Sequence, residues 1–122
     1  MSIGVETRLS EQVARYLDLS TSQVKLTAAN MANIDTPGYR ALGIDFEAEM
    51  RQAMNDSDEG LETRPVNVHL ADGLIARPDG NNVSMDREGL NLAEAQLRFK
   101  TGVALLRVEY QRVMSAIHVD KN

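Results

Sequence analysis

A helical sequence meets a proline and ends within ANMANIDTPGYR, residues 29–40. The residue before a proline is pushed out of helical dihedral angles, so the helix must end by about Asn33 or Ile34. The Pro37-Gly38 pair fits the two central positions of a type II turn, where glycine takes a positive φ. The stretch therefore predicts a sharp corner directly after a helix.

Three polar or aromatic side chains are set around this corner. Asn30 and Asn33 lie on nearly one helix face, so their amides either bond the free carbonyls of the last turn or cross to a neighbouring segment. Tyr39 follows the turn at once and is expected to act as a fixed aromatic anchor. These side chains predict a corner held by hydrogen bonds.

The helix before the corner is predicted over residues 6–34, which hold no glycine or proline. Its apolar positions advance in steps of four and three, a heptad seam diluted by Ser20 and Thr27. The Ser20-Thr21-Ser22 run has poor helix propensity and is a candidate for a bend or break. The apolar assembly seam on this helix consists of Val13, Leu17, Val24, Met31 and Ile34.

A second long helix is predicted over residues 85–118, ending near Ile117. It starts near Ser84 or Asp86 and runs through Gly89, although Asn91 and Glu94 have the spacing of a capping box and mark an alternative start. The same four-three stepping continues its seam, which consists of Leu92, Phe99, Val103, Leu106, Tyr110, Val113 and Ile117. Basic and acidic side chains fill the opposite face, as on an ordinary solvated helix.

The middle segment, residues 35–84, lacks the long heptad pattern of the two terminal helices. Asp45 is a candidate cap for a short helix ending near Met54. Residues 55–62 carry four acids and no base, which indicates a solvated loop. Beyond Pro65, alternating apolar residues over 66–70 lead to Asp72-Gly73 and predict a small β-hairpin or an irregular segment. The chain is therefore expected to be one mainly α unit, residues 1–122, with its terminal helices paired antiparallel like a coiled coil.

Composition excludes several classes of function. The net charge is −5 and the thirteen basic residues are scattered, so nucleic acid is not an expected partner. The chain has no cysteine, hence neither disulfides nor a thiolate metal site. The first residues lack the charged start and apolar core of a cleavable signal peptide, so any export is expected to use another route.

Candidate catalytic groups do not converge in the sequence. His69 and His118 have no other histidine at metal-ligand spacing, and Glu47 and Glu49 point to different sides of a helix. We therefore expect no enzyme, no cofactor, no metal and no small-molecule substrate. A small hydrolase using His69 with nearby acids is the weaker alternative, and an intact function after replacing His69 by alanine would leave it without support.

The two seams leave two interpretations open. They could form the core of a self-contained helical bundle that acts as an adaptor for a partner helix, or they could pack between subunits. Each apolar stripe is wider than one partner helix can cover, and this favours contacts with other copies.

The motif at the corner resembles a known family signature. AANMANIDTPGYRA, residues 28–41, is similar to the Asn-Leu-Ala-Asn-x-x-Thr-Pro-Gly-Tyr motif of the bacterial flagellar axial proteins, with Met31 in place of leucine. YRALGIDFEAEMRQAM and NNVSMDREGLNLAEAQLRFKTGVALL resemble the flanking segments of short, proximal rod members of that family. The matching motif and turn residues are Asn30, Asn33, Asp35, Thr36, Pro37, Gly38 and Tyr39.

The resemblance implies a structural subunit of the flagellar rod, in which terminal helices pack between subunits to build the drive shaft. It implies contacts with other copies of the chain, with the rod protein FlgC and other rod subunits, and with the adaptor FliE at the membrane-ring end. It also implies passage through the flagellar type III export apparatus without signal cleavage, and a location in the periplasmic rod of the basal body.

Overall fold

A computed structural model describes residues 8–55 and 64–120 of the chain. It contains three helices and two short strands: α1 (Arg8–Ala32), β1 (Leu42–Ile44), α2 (Phe46–Asn55), β2 (Val68–Leu70) and α3 (Met85–Asp120). This confirms a mainly α fold with paired terminal helices. The predicted helix start at residue 6 and nearly all of the predicted acidic loop lie outside the described residues.

Helix α1 is unbroken from Arg8 to Ala32, so the break considered near Ser20 does not occur. The Ser20 hydroxyl donates to the Tyr16 carbonyl at 2.9 Å, and Thr21 donates to Leu17 at 3.0 Å. These bonds one turn back satisfy both hydroxyls within the helix, and α1 continues through the run.

Helix α3 runs antiparallel to α1, because residues later in α3 contact residues earlier in α1. Glu88 meets Asn30, Arg98 meets Gln23, and Gly102 meets Leu17. Small side chains allow this close approach: a Cβ added at Gly102 would lie 2.6 Å from Leu17 Cδ2. The spacing of the helix pair therefore depends on the missing side chain at Gly102.

The start of α3 is fixed by Ser84 rather than by Asn91. The Ser84 hydroxyl accepts the Arg87 N–H at 3.3 Å, and its carbonyl accepts the Glu88 N–H at 2.9 Å. The helix passes through Gly89 and continues to Asp120, just beyond the predicted end. The capping-box alternative at Asn91 is wrong because Ser84 already supplies the cap about two turns earlier.

Helix α2 begins where predicted, with Asp45 as its cap: the Asp45 carboxylate accepts the Ala48 N–H at 3.0 Å. Phe46 fixes the helix to the pair, because its ring meets Tyr16 edge to face at 5.2 Å and carries the Arg98 guanidinium 4.0 Å above it. One side chain thus joins all three helices.

The predicted hairpin across Asp72-Gly73 is wrong. Residues Val68–Leu70 do form a strand, but they pair antiparallel with β1, with Gly43 opposite His69. The chain leaves the corner directly into β1, and Asn30 fixes Leu42, so a strand is already in place for β2 to pair with. Three or four apolar residues alone could not support a hairpin without such a surface.

A buried ion pair holds the middle segment against α1. Arg15 is 1% exposed and binds the Glu49 carboxylate at 3.2 Å, while its other nitrogen donates to the Arg64 carbonyl at 2.7 Å. Glu49 also accepts the Asn67 N–H. Because one buried charge would be left uncompensated without the other, the two residues fix α2 and residues 64–67 together. Within the described ranges, no helix is both long and apolar enough to cross a membrane.

Candidate functional site

The corner, residues 33–39, has the geometry of the type II turn that the Pro-Gly pair predicts. The Tyr39 N–H donates to the Thr36 carbonyl at 3.2 Å, and Gly38 has a φ of 76°. The Thr36 N–H returns to the Asn33 carbonyl at 3.0 Å, which closes the end of α1. An alanine at Gly38 would be strained because L side chains disfavour positive φ.

Asn30 is the centre of the corner's hydrogen bonds. It is 1% exposed, and its amide nitrogen donates to the Leu42 carbonyl at 2.8 Å and to Glu88 at 3.1 Å. Its amide oxygen accepts the Leu42 N–H and the Tyr39 hydroxyl, both at 3.0 Å. Asn30 therefore pairs with Leu42 as a neighbouring strand would, and joins α1, β1 and α3.

Asn33 bonds the end of its own helix, which is the other role predicted for the two asparagines. Its amide donates to the Ala29 carbonyl in the last turn of α1 at 2.8 Å, and its oxygen accepts the Thr36 hydroxyl at 3.0 Å. Asp35 is exposed at the surface of the turn. The two asparagines thus have different roles: Asn33 caps the helix end locally, while Asn30 fixes distant segments.

A second turn, residues 77–80, lies against the first. The Gly38 N–H donates to the Asp79 carbonyl at 2.8 Å, and a Cβ added at Gly80 would lie 3.3 Å from Gly38 Cα. The Arg77 guanidinium donates to the Ile34 carbonyl. The second turn is therefore stacked on the corner, and Gly38 and Gly80 allow the two backbones to touch.

Asn81 and Asn82 join the second turn to the chain around the corner, a role that no sequence pattern above predicted. The buried Asn81 amide donates to the carbonyls of Asn33 and Thr36 at 2.8 and 2.9 Å. Asn82 accepts the Ala41 N–H at 2.6 Å. The available signal was the asparagine pair directly after a Pro-Asp-Gly turn, because amides in such positions bond nearby backbone.

The charge environment of the corner is set by Glu88, which is 2% exposed. Partial burial, followed by the nearby Glu88 carboxylate, raises the pKa of Tyr39 above its ordinary value of 10.0. The phenol therefore stays protonated, and its hydroxyl remains a donor to Asn30.

The face of α3 that meets α1 is not its predicted seam. Four residues spaced by seven are buried there, and we call them the buried line: Glu88, Ala95, Gly102 and Glu109. On α1, Val13 is buried together with Ser20 and Thr27, whereas the remaining predicted seam residues are half-buried: Leu17, Val24, Met31 and Ile34. The helices approach through small and polar side chains, which leaves larger ones at the sides.

The larger apolar residues of α3 form two faces on either side of the buried line. The seam face contains Leu92, Phe99, Val103, Leu106, Tyr110 and Ile117. At about 100° per residue, these residues lie roughly 40–100° around the helix axis from the buried line. The outer face contains Leu90, Leu97, Leu105 and Val108. These residues lie roughly 60–160° around the helix axis from the buried line, in the opposite direction. Val113 follows Glu109 by four residues, as Leu92 follows Glu88, so it also lies on the seam face, where it is half-buried. Tyr110 is 65% exposed on the seam face and Leu97 is 66% exposed on the outer face.

Neither histidine lies in an arrangement that indicates catalysis. His69 is exposed on β2, with its Nδ1 3.0 Å from the Leu70 carbonyl, and His118 is exposed near the end of α3. Over residues 8–55 and 64–120, no three histidine or acidic side chains are grouped closely enough to hold a metal ion.

Comparison with known proteins identifies the family. The chain is 30% identical over 119 residues to the flagellar basal body rod protein FlgB of Salmonella typhimurium, covering 83% of this chain and 86% of that protein. It is 34% identical over 116 residues to FlgB of Cereibacter sphaeroides, covering 85% and 89%. FlgB of Yersinia ruckeri is 30% identical over 119 residues, covering 83% and 87%. No protein-family model matches the chain. The similarity to these relatives spans most of both chains, and it places this protein in the FlgB family of flagellar basal body rod proteins.

Proposed function

We propose that this chain is a structural subunit of the proximal rod that assembles through its terminal helices into the shaft transmitting motor torque. The observation that carries the proposal is the pair of exposed apolar faces on α3. Covering one half-exposed aliphatic side chain stabilises a contact by about 1–2 kcal/mol. A row of such residues along a helix about 54 Å long is the surface expected between subunits.

The positions of the two faces favour an open assembly. A subunit whose two apolar faces differ binds its neighbours through unlike surfaces, and such contacts extend into helical arrays when they do not close into a ring. A helical array multiplies modest contacts into stiffness, which a shaft requires. The expected neighbours are other copies, FlgC and other rod subunits, and FliE at the membrane-ring end.

The same proposal includes the route and location of the protein. We expect export through the flagellar type III apparatus without signal cleavage, followed by assembly in the periplasmic rod of the basal body. The long helices then form the inner layer, and the corner sets the direction in which the middle segment leaves it.

Replacing the outer face tests this function directly. The Leu97→Ser, Val108→Ser double variant is expected to abolish swimming in a strain that lacks its own rod protein, because two contacts between subunits are lost. Lys100→Ser places the same residue at an exposed position of α3 between the two faces, and it should leave swimming intact. Basal bodies of normal number and length in the double variant would contradict the proposal.

The corner is tested by Gly38→Ala. Its backbone has a φ of 76°, so we expect a destabilisation of about 1–2 kcal/mol, too little to unfold α1 but enough to tilt the middle segment. Rod assembly, counted in purified basal bodies, should fall more than the helix content measured by circular dichroism. Unchanged assembly in both Gly38→Ala and Pro37→Ala would refute this role of the corner.

A further inference from the structure

Helix α1 keeps one side open to solvent. Helices α2 and α3 and strand β1 pack against α1 elsewhere. The exposed residues on the open side recur in steps of three and four, and we call them the open strip: Asp18, Thr21, Lys25, Ala28 and Ala32. At about 100° per residue, the open strip lies roughly 80–160° around α1 from the buried Ser20. Its uncharged members are short, so larger side chains from another molecule can lie over them.

The outer face of α3 carries larger side chains at a matching spacing. Leu90 and Leu97 are 62% and 66% exposed and lie seven residues apart, and Ala104 continues their row. A row of equal spacing on α1 consists of Ala14, Thr21 and Ala28. Each step of seven residues spans about 10.5 Å on both helices. The Thr21 hydroxyl already donates to the Leu17 carbonyl, so a leucine can cover it without burying an unpaired donor.

These two rows cannot meet within one chain. Leu97 follows the buried Ala95 by two residues, about 200° around the helix, so it faces away from its own α1. In a second copy with the same orientation, α1 runs antiparallel to α3 of the first, as the two helices do within one chain. The rows then pair as unlike surfaces, and such a contact repeats from copy to copy without closing a dimer.

We propose that the outer face of α3 packs on the open strip of a second copy. Leu97 then lies over Thr21 of that copy. In the same register, Leu90 lies over Ala28. The inference rests on the proposed function, because rod assembly supplies the second copy, and it identifies the surface that the outer face meets.

Charge complementarity favours this register. It brings Glu94 beside Lys25 of the second copy, and Lys25 has no ion-pair partner among the residues that the structure describes. Glu94 has room for this partner, because its side chain is 48% exposed and its contact with Arg98, through Oε2 at 4.0 Å, is long. Charges at the edge of an apolar contact fix the register more than they add affinity.

Shifts of the second copy by one heptad are less favourable. A shift in one direction places Glu94 beside Asp18 and so brings two acids together. It also places Arg87 beside Lys25, which brings two bases together. A shift in the other direction moves Leu90 past the end of α1 and leaves it exposed.

Disulfide formation in purified basal bodies tests the register, since the chain has no cysteine of its own. Ala14 and Ala104 continue the two rows and should lie side by side across the contact. Ala14→Cys with Ala104→Cys should therefore give linked dimers and longer chains on a non-reducing gel. Ala14→Cys with Ala93→Cys is the control. Ala93 is exposed but lies about 16 Å from Ala104 along α3, too far for a disulfide bond.

The charge pairing is tested with Lys25→Glu, which places two acids together across the contact. The chain's incorporation into basal bodies should fall at least about threefold, and adding Glu94→Lys should restore it. Lys100→Glu makes the same charge change at an exposed position outside both contact surfaces and should leave incorporation unchanged. Matching thermal transitions of the free variants would show that each still folds.

The outcomes separate the two proposals. Basal bodies that contain the Ala14→Cys, Ala104→Cys chain without linked products would overturn the contact with the open strip while leaving rod membership intact. Equal linkage in the Ala93→Cys control would overturn the register. Normal incorporation of Lys25→Glu would overturn the charge pairing. Failure of the unaltered chain to enter basal bodies would instead contradict the proposed function.

Discussion

The corner and α3 differ in which side chains are buried and which are exposed. At the corner, polar groups are buried and satisfied inside the chain: the Asn30 side chain alone makes four hydrogen bonds, and Asn81 ties two turns together. On α3, large apolar side chains are left in contact with solvent on two faces. The corner is therefore satisfied within one molecule, whereas α3 keeps apolar side chains exposed that the proposed function assigns to contacts with neighbours.

The largest expected loss of stability comes from removing the Asn30 side chain at the corner. Asn30→Ala leaves the Leu42 backbone, the Tyr39 hydroxyl and Glu88 without their partner, so the free energy of unfolding should fall by on the order of 3 kcal/mol. Asn33→Ala removes bonds that are local and nearer to solvent, and should cost about 1 kcal/mol. Chemical denaturation of the free chain measures both. Equal losses in the two variants would contradict the central place given to Asn30.

A smaller effect tests whether the buried line on α3 sets the helix spacing. Gly102→Leu introduces a side chain at a position where even a Cβ would lie 2.6 Å from Leu17 Cδ2, and overpacking of this kind costs about 1–3 kcal/mol. Gly89→Ala is the matched control, because nothing lies within 4 Å of its added Cβ. That change should stabilise the chain by about 1 kcal/mol through helix propensity. A neutral Gly102→Leu in thermal unfolding would show that the helices can separate freely.

The smallest effect concerns the protonation of the corner. The pKa of Tyr39 is raised in the folded chain, so its contribution is fully present below pH 10 and is lost as the pH rises from there through the folded pKa. The free energy of unfolding should therefore decline in that alkaline window. Tyr39→Phe should flatten the decline while lowering stability at neutral pH by about 1 kcal/mol. An unchanged slope in the variant would remove Tyr39 as its cause.

Local rules allowed correct predictions where neighbours in the chain decide the structure. The proline at residue 37 set the end of α1, the Pro-Gly pair formed the turn, and Asp45 marked the start of α2. Each feature depends on residues within one or two turns of each other. Sequence reasoning is strong in these places because dihedral limits and capping do not require knowledge of the rest of the fold.

The features that escaped prediction join distant segments. Pairing of β1 with β2 and the reach of Asn81 back to Asn33 span long stretches of chain, and no local pattern specifies them. A heptad pattern also favours the largest apolar residues as the ones that face the partner helix. In the structure, Ala95 and Gly102 face α1 instead, because small residues permit the close approach that positions Arg98 and Glu88.

Hydrogen exchange on the free chain and on purified basal bodies compares the corner with α3 in a single measurement. We predict that the amides of Tyr39 and Leu42 are protected to the same degree in both, because the corner is satisfied within one molecule. Amides of α3 after Gly102 should exchange rapidly in the free chain and slowly in the rod, because neighbours cover their apolar faces. Full protection of that half of α3 in the free chain would contradict the claim that α3 is completed only among neighbours.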